Sequence, residues 1–339
     1  MRTLRPSPPV FAGLILTYRC TCACRHCLYA CSPRWEGWID PSVLRDSIAA
    51  LANLPRPPSV HLAGGEAFLD PERLLEAVTA VVEAGLEIDF IETNGAWYDD
   101  PDEATDLLRR LSDAGASRLL VSATPFHAES VAPRKVVELL ELAQSVLGEE
   151  NAWPWTPSLL QQLLAIDPMG TVSYRRYLEQ VGVESARWAL LRGFPMTLAG
   201  RAAHQLGPLV PKRPASALVG EGTCRDALLH TGHLHGDPDG NAIPGYCAGF
   251  ALGDVRRQAS TVDDGLPATD YPVTARLVEE GLAGLLAHAE QEAGFVPDPA
   301  GYRGACHLCQ VIRGHLLSRG VGERELRPRR FYEELDLLD

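Results

Sequence analysis

The feature that most constrains the fold is a regular alternation, along residues 10–202, between short apolar runs and longer amphipathic stretches. The apolar runs have the length of strands, and the amphipathic stretches have the length and end signals of helices. Such an order predicts a parallel sheet covered by helices, here a partial (β/α)6 barrel of the TIM type. We place its strands at 10–17, 59–63, 87–93, 118–122, 151–155 and 196–199.

Proline and glycine mark the expected helix ends. Asp40 can cap a helix that starts at Pro41, and Gly85, Gly115 and Gly148 follow the last residues of later helices. Residues 156–195 depart from the rhythm and add two helices between the fifth and sixth predicted strands. This insertion can cover the mouth of the barrel.

A Pro/Gly-rich stretch at 207–214 marks a domain boundary. We therefore divide the chain into a barrel at 1–205 and a small α+β domain at 206–339. In the second domain, residues 234–244 predict a hairpin that turns at Asp239-Gly240. Residues 271–293 predict one long helix.

Charge and hydropathy exclude several classes of partner. The chain has 339 residues and a formal net charge of -13, which disfavours binding to nucleic acid and to anionic membranes. Its apolar runs fall short of the roughly 18 residues that a membrane span needs. The N-terminal apolar stretch continues into Thr17-Tyr18-Arg19-Cys20 rather than a cleavage site, so we interpret it as a strand and expect a cytoplasmic protein.

The nine cysteines are clustered rather than scattered. In the cytosol thiols stay reduced, and clustered cysteines more often bind metal than form disulfides. Five lie between Cys20 and Cys31. The others are Cys224, Cys247, Cys306 and Cys309.

Cys20, Cys24 and Cys27 form a C-x3-C-x2-C motif in the loop after the first predicted strand. Three thiolates can hold three irons of a cubane cluster and leave the fourth iron open to another ligand. A zinc knuckle can also use short cysteine spacings. The motif alone therefore leaves both metals open.

Other polar and glycine motifs follow the later strands, where barrel enzymes place their sites. Gly64-Gly65-Glu66 ends the second strand, Asn94 follows the third, Ser122 ends the fourth, and Gly200-Arg201 ends the sixth. With the cysteine loop, these motifs resemble those of the radical S-adenosylmethionine (radical SAM) superfamily.

The resemblance implies S-adenosylmethionine as cofactor, bound to the open iron of a [4Fe–4S] cluster on Cys20, Cys24 and Cys27. It implies that Glu66 and its two glycines grip the methionine amino group. Residues expected around the rest of the cofactor are His26 and Gly200-Arg201 near the adenine, with Ser122 at the ribose or carboxylate and Asn94 beside it.

The later cysteines, in a C…C…C-x2-C arrangement, resemble the twitch domain of radical SAM enzymes. This resemblance implies a second, auxiliary [4Fe–4S] cluster on Cys224, Cys247, Cys306 and Cys309. A structural zinc ion can use the same four thiolates.

Candidates for substrate chemistry are fewer. His127 and Glu129, on the segment leaving the fourth strand, can bind or deprotonate a substrate, or belong to a loop without such a role. His233 and His235 share one face of a strand, either as metal ligands or as polar residues near a cluster. Cys22 and Cys31 either donate a hydrogen atom to a substrate radical or are buried small residues.

The resemblance implies electron delivery by flavodoxin or ferredoxin and hydrogen abstraction from a small natural-product or sugar-like substrate, with oxidation assisted by the auxiliary cluster. Peptide maturation and epimerisation are alternatives within the same chemistry. A non-catalytic zinc or iron–sulfur protein is the alternative of another class.

Overall fold

The computed structural model describes residues 2–193, 196–220 and 222–338. Within them it contains nine strands. These are β1 (Thr3–Leu4), β2 (Phe11–Ile15), β3 (Ser59–Ala63), β4 (Ile88–Thr93), β5 (Leu119–Val121), β6 (Ala152–Pro154), β7 (His233–Gly236), β8 (Ala242–Pro244) and β9 (Leu266–Pro267).

The same residues form fourteen α-helices. The first seven are α1 (Pro41–Ala52), α2 (Pro71–Glu83), α3 (Pro101–Asp113), α4 (Pro133–Leu147), α5 (Pro157–Ile166), α6 (Tyr174–Val181) and α7 (Val183–Trp188). The last seven are α8 (Ala202–Gln205), α9 (Arg225–Leu229), α10 (Gln258–Asp264), α11 (Pro272–Glu279), α12 (Gly281–Ala293), α13 (Ala305–Ser318) and α14 (Arg329–Glu334). None of these helices is both long and apolar enough to cross a bilayer.

A seven-stranded sheet forms the centre of the molecule, in the order β6-β5-β4-β3-β2-β7-β8. All neighbouring strands are parallel except β7 and β8, which form the predicted antiparallel hairpin. The α/β class and the first five predicted strands are confirmed. Because the edges β6 and β8 do not pair with each other, the sheet is an open, partial barrel.

The predicted sixth strand is wrong. Residues 196–199 form no strand, and the sheet is extended instead by β7, which pairs with β2. The segment is held elsewhere, since the Arg201 amide just after it donates to the Cys27 carbonyl at 2.9 Å. The sheet therefore takes its next parallel strand from beyond residue 205.

Sequence signals explain the helices that flank the sheet. Asp40 caps α1 by accepting a hydrogen bond from the Ser42 amide at 2.7 Å, as expected. Apolar side chains of the strands and of the facing helix surfaces pack in one core, including fully buried Leu14, Leu62 and Val78. Because these strands are parallel, the loops that follow them lie at one edge of the sheet.

Helices α11–α14 surround a second apolar core, which includes Phe250, Leu308 and Phe331. The single long helix predicted at 271–293 is instead two helices that meet at Gly281, whose φ is +67°. A Cβ at this position would lie 2.1 Å from the Gly222 carbonyl oxygen. The close approach of these backbones accounts for the break.

Candidate active site

A cavity of about 480 Å³ opens inside the sheet, at the carboxyl ends of β2–β5 and beside β7. The cysteine loop that follows β2 forms one wall. Side chains of the sheet strands form the rest. The polar lining includes Cys20, Cys22, Cys24, His26, Cys27, Tyr29, Cys31, His61, Asp89, Glu92, Asn94, Ser122, His127, His233 and His235.

The loop brings its five cysteines to this cavity, including Cys22 and Cys31 outside the C-x3-C-x2-C motif. The Cys22 amide donates to Cys20 Sγ and the Cys31 amide donates to Cys27 Sγ, both at 3.3 Å. Amide donors favour the charged form of a thiol, which is the form that binds metal. The backbone of the loop therefore stabilises its own cysteine thiolates by hydrogen bonds.

Thiol–thiol contacts shift the acidities within the loop. Hydrogen bonds from the thiols of Cys20 and Cys24 lower the pKa of Cys22, and the same bonds raise the pKa of both donors. A hydrogen bond from the Cys31 thiol lowers the pKa of Cys27 to about 6, and Arg201 acts in the same direction. Three motif thiols on one cavity-lining loop fit the donor set of a [4Fe–4S] cluster with one open iron.

Gly64 and Gly65 line the cavity and also pack against the start of the cysteine loop. A Cβ on Gly64 would lie 2.6 Å from the Thr17 carbonyl oxygen, and one on Gly65 would lie 2.1 Å from that of Arg19. The Gly65 amide donates to the Thr17 carbonyl at 2.6 Å. The glycines are needed because the turn after β3 touches the backbone of the loop.

Glu66 has partners other than the ammonium group that the sequence analysis assigned to it. Its carboxylate accepts hydrogen bonds from the amides of Phe68 and Asn94, at 3.1 and 2.8 Å, and from the Thr93 hydroxyl at 2.9 Å. Burial raises its pKa to about 7. The described lining residues do not include Glu66, so this side chain positions the ends of β3 and β4 from behind the cavity.

Asn94 connects β4 to the cysteine loop. Its side-chain amide donates to Cys20 Sγ at 3.4 Å and to the Thr21 hydroxyl at 3.0 Å. Ser122 lines the cavity on the neighbouring strand end. Both residues stand at the carboxyl ends of their strands, where the sequence analysis expected them.

Gly200 and Arg201 hold the outer side of the cysteine loop. Arg201 is buried, and its guanidinium donates to the carbonyl oxygens of Cys24 at 2.8 Å and Cys31 at 2.9 Å. A Cβ on Gly200 would lie 2.2 Å from the Leu28 carbonyl oxygen. The sequence analysis expected these two residues near an adenine, whereas their contacts are with the loop backbone.

His26 and His127 line the cavity together, with ring centroids 4.9 Å apart. Burial lowers the pKa of His26 and lowers that of His127 to about 4, so both imidazoles are neutral at pH 7. The Nδ1 atom of His127 is 2.9 Å from the Thr124 hydroxyl.

Glu129 differs from the expectation of a group that acts on substrate. Its carboxylate forms an ion pair with Arg25 at 2.8 Å and accepts from the Tyr174 amide at 3.2 Å. It is absent from the part of the cavity lining that the structure describes. The ion pair fastens the cysteine loop to the segment after β5, and the hydrogen bond from Tyr174 joins that segment to α6, which makes Glu129 a positioning residue.

Two cavity residues, His61 and Glu92, were not selected from the sequence. Burial lowers the pKa of His61 to about 3 and raises that of Glu92 to about 7. The alternation of side chains along a strand could have identified them from the sequence. It places His61 on the same face of its strand as Ala63, and Glu92 on the same face of its strand as Phe90. Polar residues on the inner face of a buried strand mark a functional cavity more clearly than the glycine motifs do.

The four later cysteines lie near one another at the edge of the second core. Burial, together with the neighbouring thiols of Cys309 and Cys306, raises the pKa of Cys224 to about 12. Burial and Cys306 likewise raise the pKa of Cys247. Buried Arg313 lies beside them and donates to the Ala248 carbonyl at 3.1 Å.

Comparison with known proteins gives a family match at the cysteine loop and the first strands. The model of the radical SAM superfamily matches residues 14–142. No curated protein matches the chain.

Similar solved structures include BtrN in complex with AdoMet and 2-DOIA, at 14% identity and a TM-score of 0.45, covering 81% of this chain and 89% of that one. Native anSMEcpe with bound AdoMet is 13% identical with a TM-score of 0.41, covering 76% and 82%. Streptococcus suis SuiB bound to S-adenosylmethionine is 13% identical with a TM-score of 0.34, covering 71% and 61%. Likenesses this distant add no residue roles.

The family match includes the whole C-x3-C-x2-C motif and the strand ends that carry Gly64-Gly65, Asn94 and Ser122. In this superfamily a [4Fe–4S] cluster on three such cysteines binds S-adenosylmethionine. Residues 14–142 of the protein therefore match the radical SAM superfamily.

Proposed function

We propose that the protein cleaves S-adenosylmethionine reductively and uses the resulting 5′-deoxyadenosyl radical to oxidise a small natural-product or sugar-like substrate. It does so in the cytoplasm, with a flavodoxin or ferredoxin as electron donor. Cys20, Cys24 and Cys27 would hold the cluster. Gly64, Gly65, Asn94, Ser122 and His26 are suited to surround the cofactor.

One observation carries this proposal. A single cavity joins the cysteine loop to ionisable side chains of the sheet, notably Glu92 and His235. Its volume of about 480 Å³ falls in the range of about 300–1,000 Å³ that is usual for small-molecule sites. Because the same cavity would also hold the cluster and S-adenosylmethionine, the room left favours a compact substrate over a folded peptide.

Oxidation of an alcohol carbon removes a hydrogen atom, a proton and an electron. When bound, the cluster and S-adenosylmethionine supply the radical that takes the hydrogen atom. Glu92 is suited to take the hydroxyl proton, because its partly buried carboxylate has a pKa of about 7 and lines the cavity. Apolar and aromatic walls, including Leu120 and Phe90, exclude water from the reaction.

The remaining electron needs an acceptor. We propose that Cys224, Cys247, Cys306 and Cys309 hold an auxiliary [4Fe–4S] cluster, which when bound supplies one. The buried guanidinium of Arg313 supports this set, since four thiolates carry negative charge that a nearby cation offsets. The division into domains 1–205 and 206–339 stays a prediction.

Anaerobic turnover with sugars and cyclitols deuterated at the hydroxyl-bearing carbons tests the function. We expect deuterium in 5′-deoxyadenosine and a product that has lost two hydrogens. A product in which the abstracted deuterium is replaced by hydrogen, with the hydroxyl group kept, would indicate epimerisation, and label transfer only from peptides would indicate peptide maturation; either result would overturn the proposed oxidation. The Cys24→Ala variant is the control and should transfer no label.

A further inference from the structure

Three histidines meet on the cavity wall formed by the sheet. His61 lies on β3, and His233 and His235 lie on β7. One ligand atom from each imidazole lies within 4.8 Å of the other two. His61 and His235 are buried, and His233 is partly buried.

The sheet is built to let these side chains meet across an intervening strand. Gly13 of β2 pairs with His61 on one side and with His235 on the other, so the three residues form one row. A Cβ on Gly13 would lie 2.3 Å from His235 Cδ2 and 2.5 Å from His61 Nε2. Because glycine has no side chain, the two imidazoles can approach each other in the space that a Cβ would fill.

The imidazoles have polar atoms left over. Among the described residues, His233 Nε2 and His235 Nδ1 are buried without a hydrogen-bond partner. Around them stand aromatic rings, with Phe90 stacked on His61 at 5.2 Å and Tyr29 edge-on to His235 at 5.3 Å. Since buried polar atoms are nearly always paired, these nitrogens point to a ligand.

We infer that His61, His233 and His235 bind a divalent first-row transition metal ion such as zinc. Imidazole nitrogen is a preferred ligand of such ions, and three histidines plus an open position are the pattern of catalytic zinc sites. Burial keeps all three imidazoles neutral, which is the form that binds metal.

All three histidines line the same cavity as the cysteine loop. An ion held by them would therefore offer a ligand position to an oxygen or nitrogen atom of a substrate in that cavity. This second role rests on the proposed function, whereas binding of the ion does not. A tetrahedral ion with bonds of about 2.0–2.1 Å needs its nitrogens about 3.3 Å apart, so on binding the imidazoles must draw closer than the 4.8 Å limit within which they lie.

The test uses the full-length protein with its clusters reconstituted, incubated with excess Zn²⁺ and desalted. Zinc displaces ferrous iron from imidazole sites, so iron from reconstitution does not mask the result. We expect about one zinc per chain, with nitrogen or oxygen neighbours at about 2.0–2.1 Å in zinc X-ray absorption. Absence of zinc, or a sulfur shell at about 2.3 Å, would overturn the site.

Matched variants locate the ion. His235→Gln and His61→Gln should each lose the zinc, whereas His230→Gln, at an exposed histidine three residues before β7, should keep it. Cluster absorbance and iron content report folding in every variant. If one ligand variant fails to fold, the other decides, and equal zinc in ligand and control variants would contradict the inference.

Gly13→Ala keeps all three ligands and changes only the space between them. We expect its affinity for zinc to fall about 10–100-fold, as when the support of a metal ligand is removed. Unchanged affinity would show that the rings do not meet across β2. Zinc is measured without turnover, so this result is independent of S-adenosylmethionine cleavage.

Discussion

Glu92 lies in the cavity with a pKa of about 7, and the cause is burial. A carboxyl group with this pKa changes charge near neutral pH, unlike an exposed glutamate. Burial favours the neutral, protonated form of the carboxyl group and so raises its pKa. The charged carboxylate, which can act as a base, is therefore the main form only above about pH 7.

Glu92→Gln should remove the pH dependence of substrate oxidation. In the unchanged protein we expect the rate to rise with pH through about 7, as Glu92 loses its proton. The variant should lose that rise and about 10²–10⁴-fold in kcat, the usual contribution of general base catalysis. Product formation between pH 5.5 and 8.5 measures both effects. Glu76→Gln, at an exposed position, is the control, and the same pH profile in all three proteins would exclude Glu92 as the base.

The cysteine loop is the element on which the site depends, and four other elements hold it. The turn after β3 packs against its start, and Asn94 after β4 reaches Cys20. Arg201 binds its carbonyl oxygens, and Glu129 holds Arg25. These contacts restrain the backbone of the loop, which lowers the cost of ordering it.

Gly65→Ala tests this support. Its Cβ would lie 2.1 Å from the Arg19 carbonyl oxygen, so the start of the loop must move. We expect a loss of about 1–3 kcal/mol in the free energy of unfolding, the usual cost of overpacking, together with less iron per chain. Denaturant unfolding and iron analysis measure the two effects. At Gly220 a Cβ would meet no atom within 4 Å, so Gly220→Ala should leave both unchanged, and equal behaviour of the two variants would contradict the packing role.

Elements with a clear local signal could be predicted, and elements defined by tertiary contacts could not. The first five barrel strands and the Asp40 cap follow from period and end signals that reside in their own residues. Residues 196–199 have a strand-like composition, yet the adjoining Gly200-Arg201 turn binds the cysteine loop instead of allowing sheet pairing. His61 and His235 lie far apart in sequence and meet only because β2 stands between their strands.

At the scale of the whole molecule, the two apolar cores are joined at the cysteine loop. The Tyr18 hydroxyl donates to Asp237 at 2.8 Å, just beyond β7. The Ser32 hydroxyl donates to Glu334 of α14 at 2.9 Å. The residues after 205 thus contact both ends of the loop, which accounts for a site assembled from distant parts of the chain.

The most direct test of the account is cleavage of S-adenosylmethionine by anaerobic, reconstituted protein with dithionite. We predict that the unchanged protein forms 5′-deoxyadenosine and holds about eight irons, four per cluster. The variant with Cys20, Cys24 and Cys27 all changed to alanine should form none and hold about four irons. Formation of 5′-deoxyadenosine by that variant would contradict the assignment of the radical site.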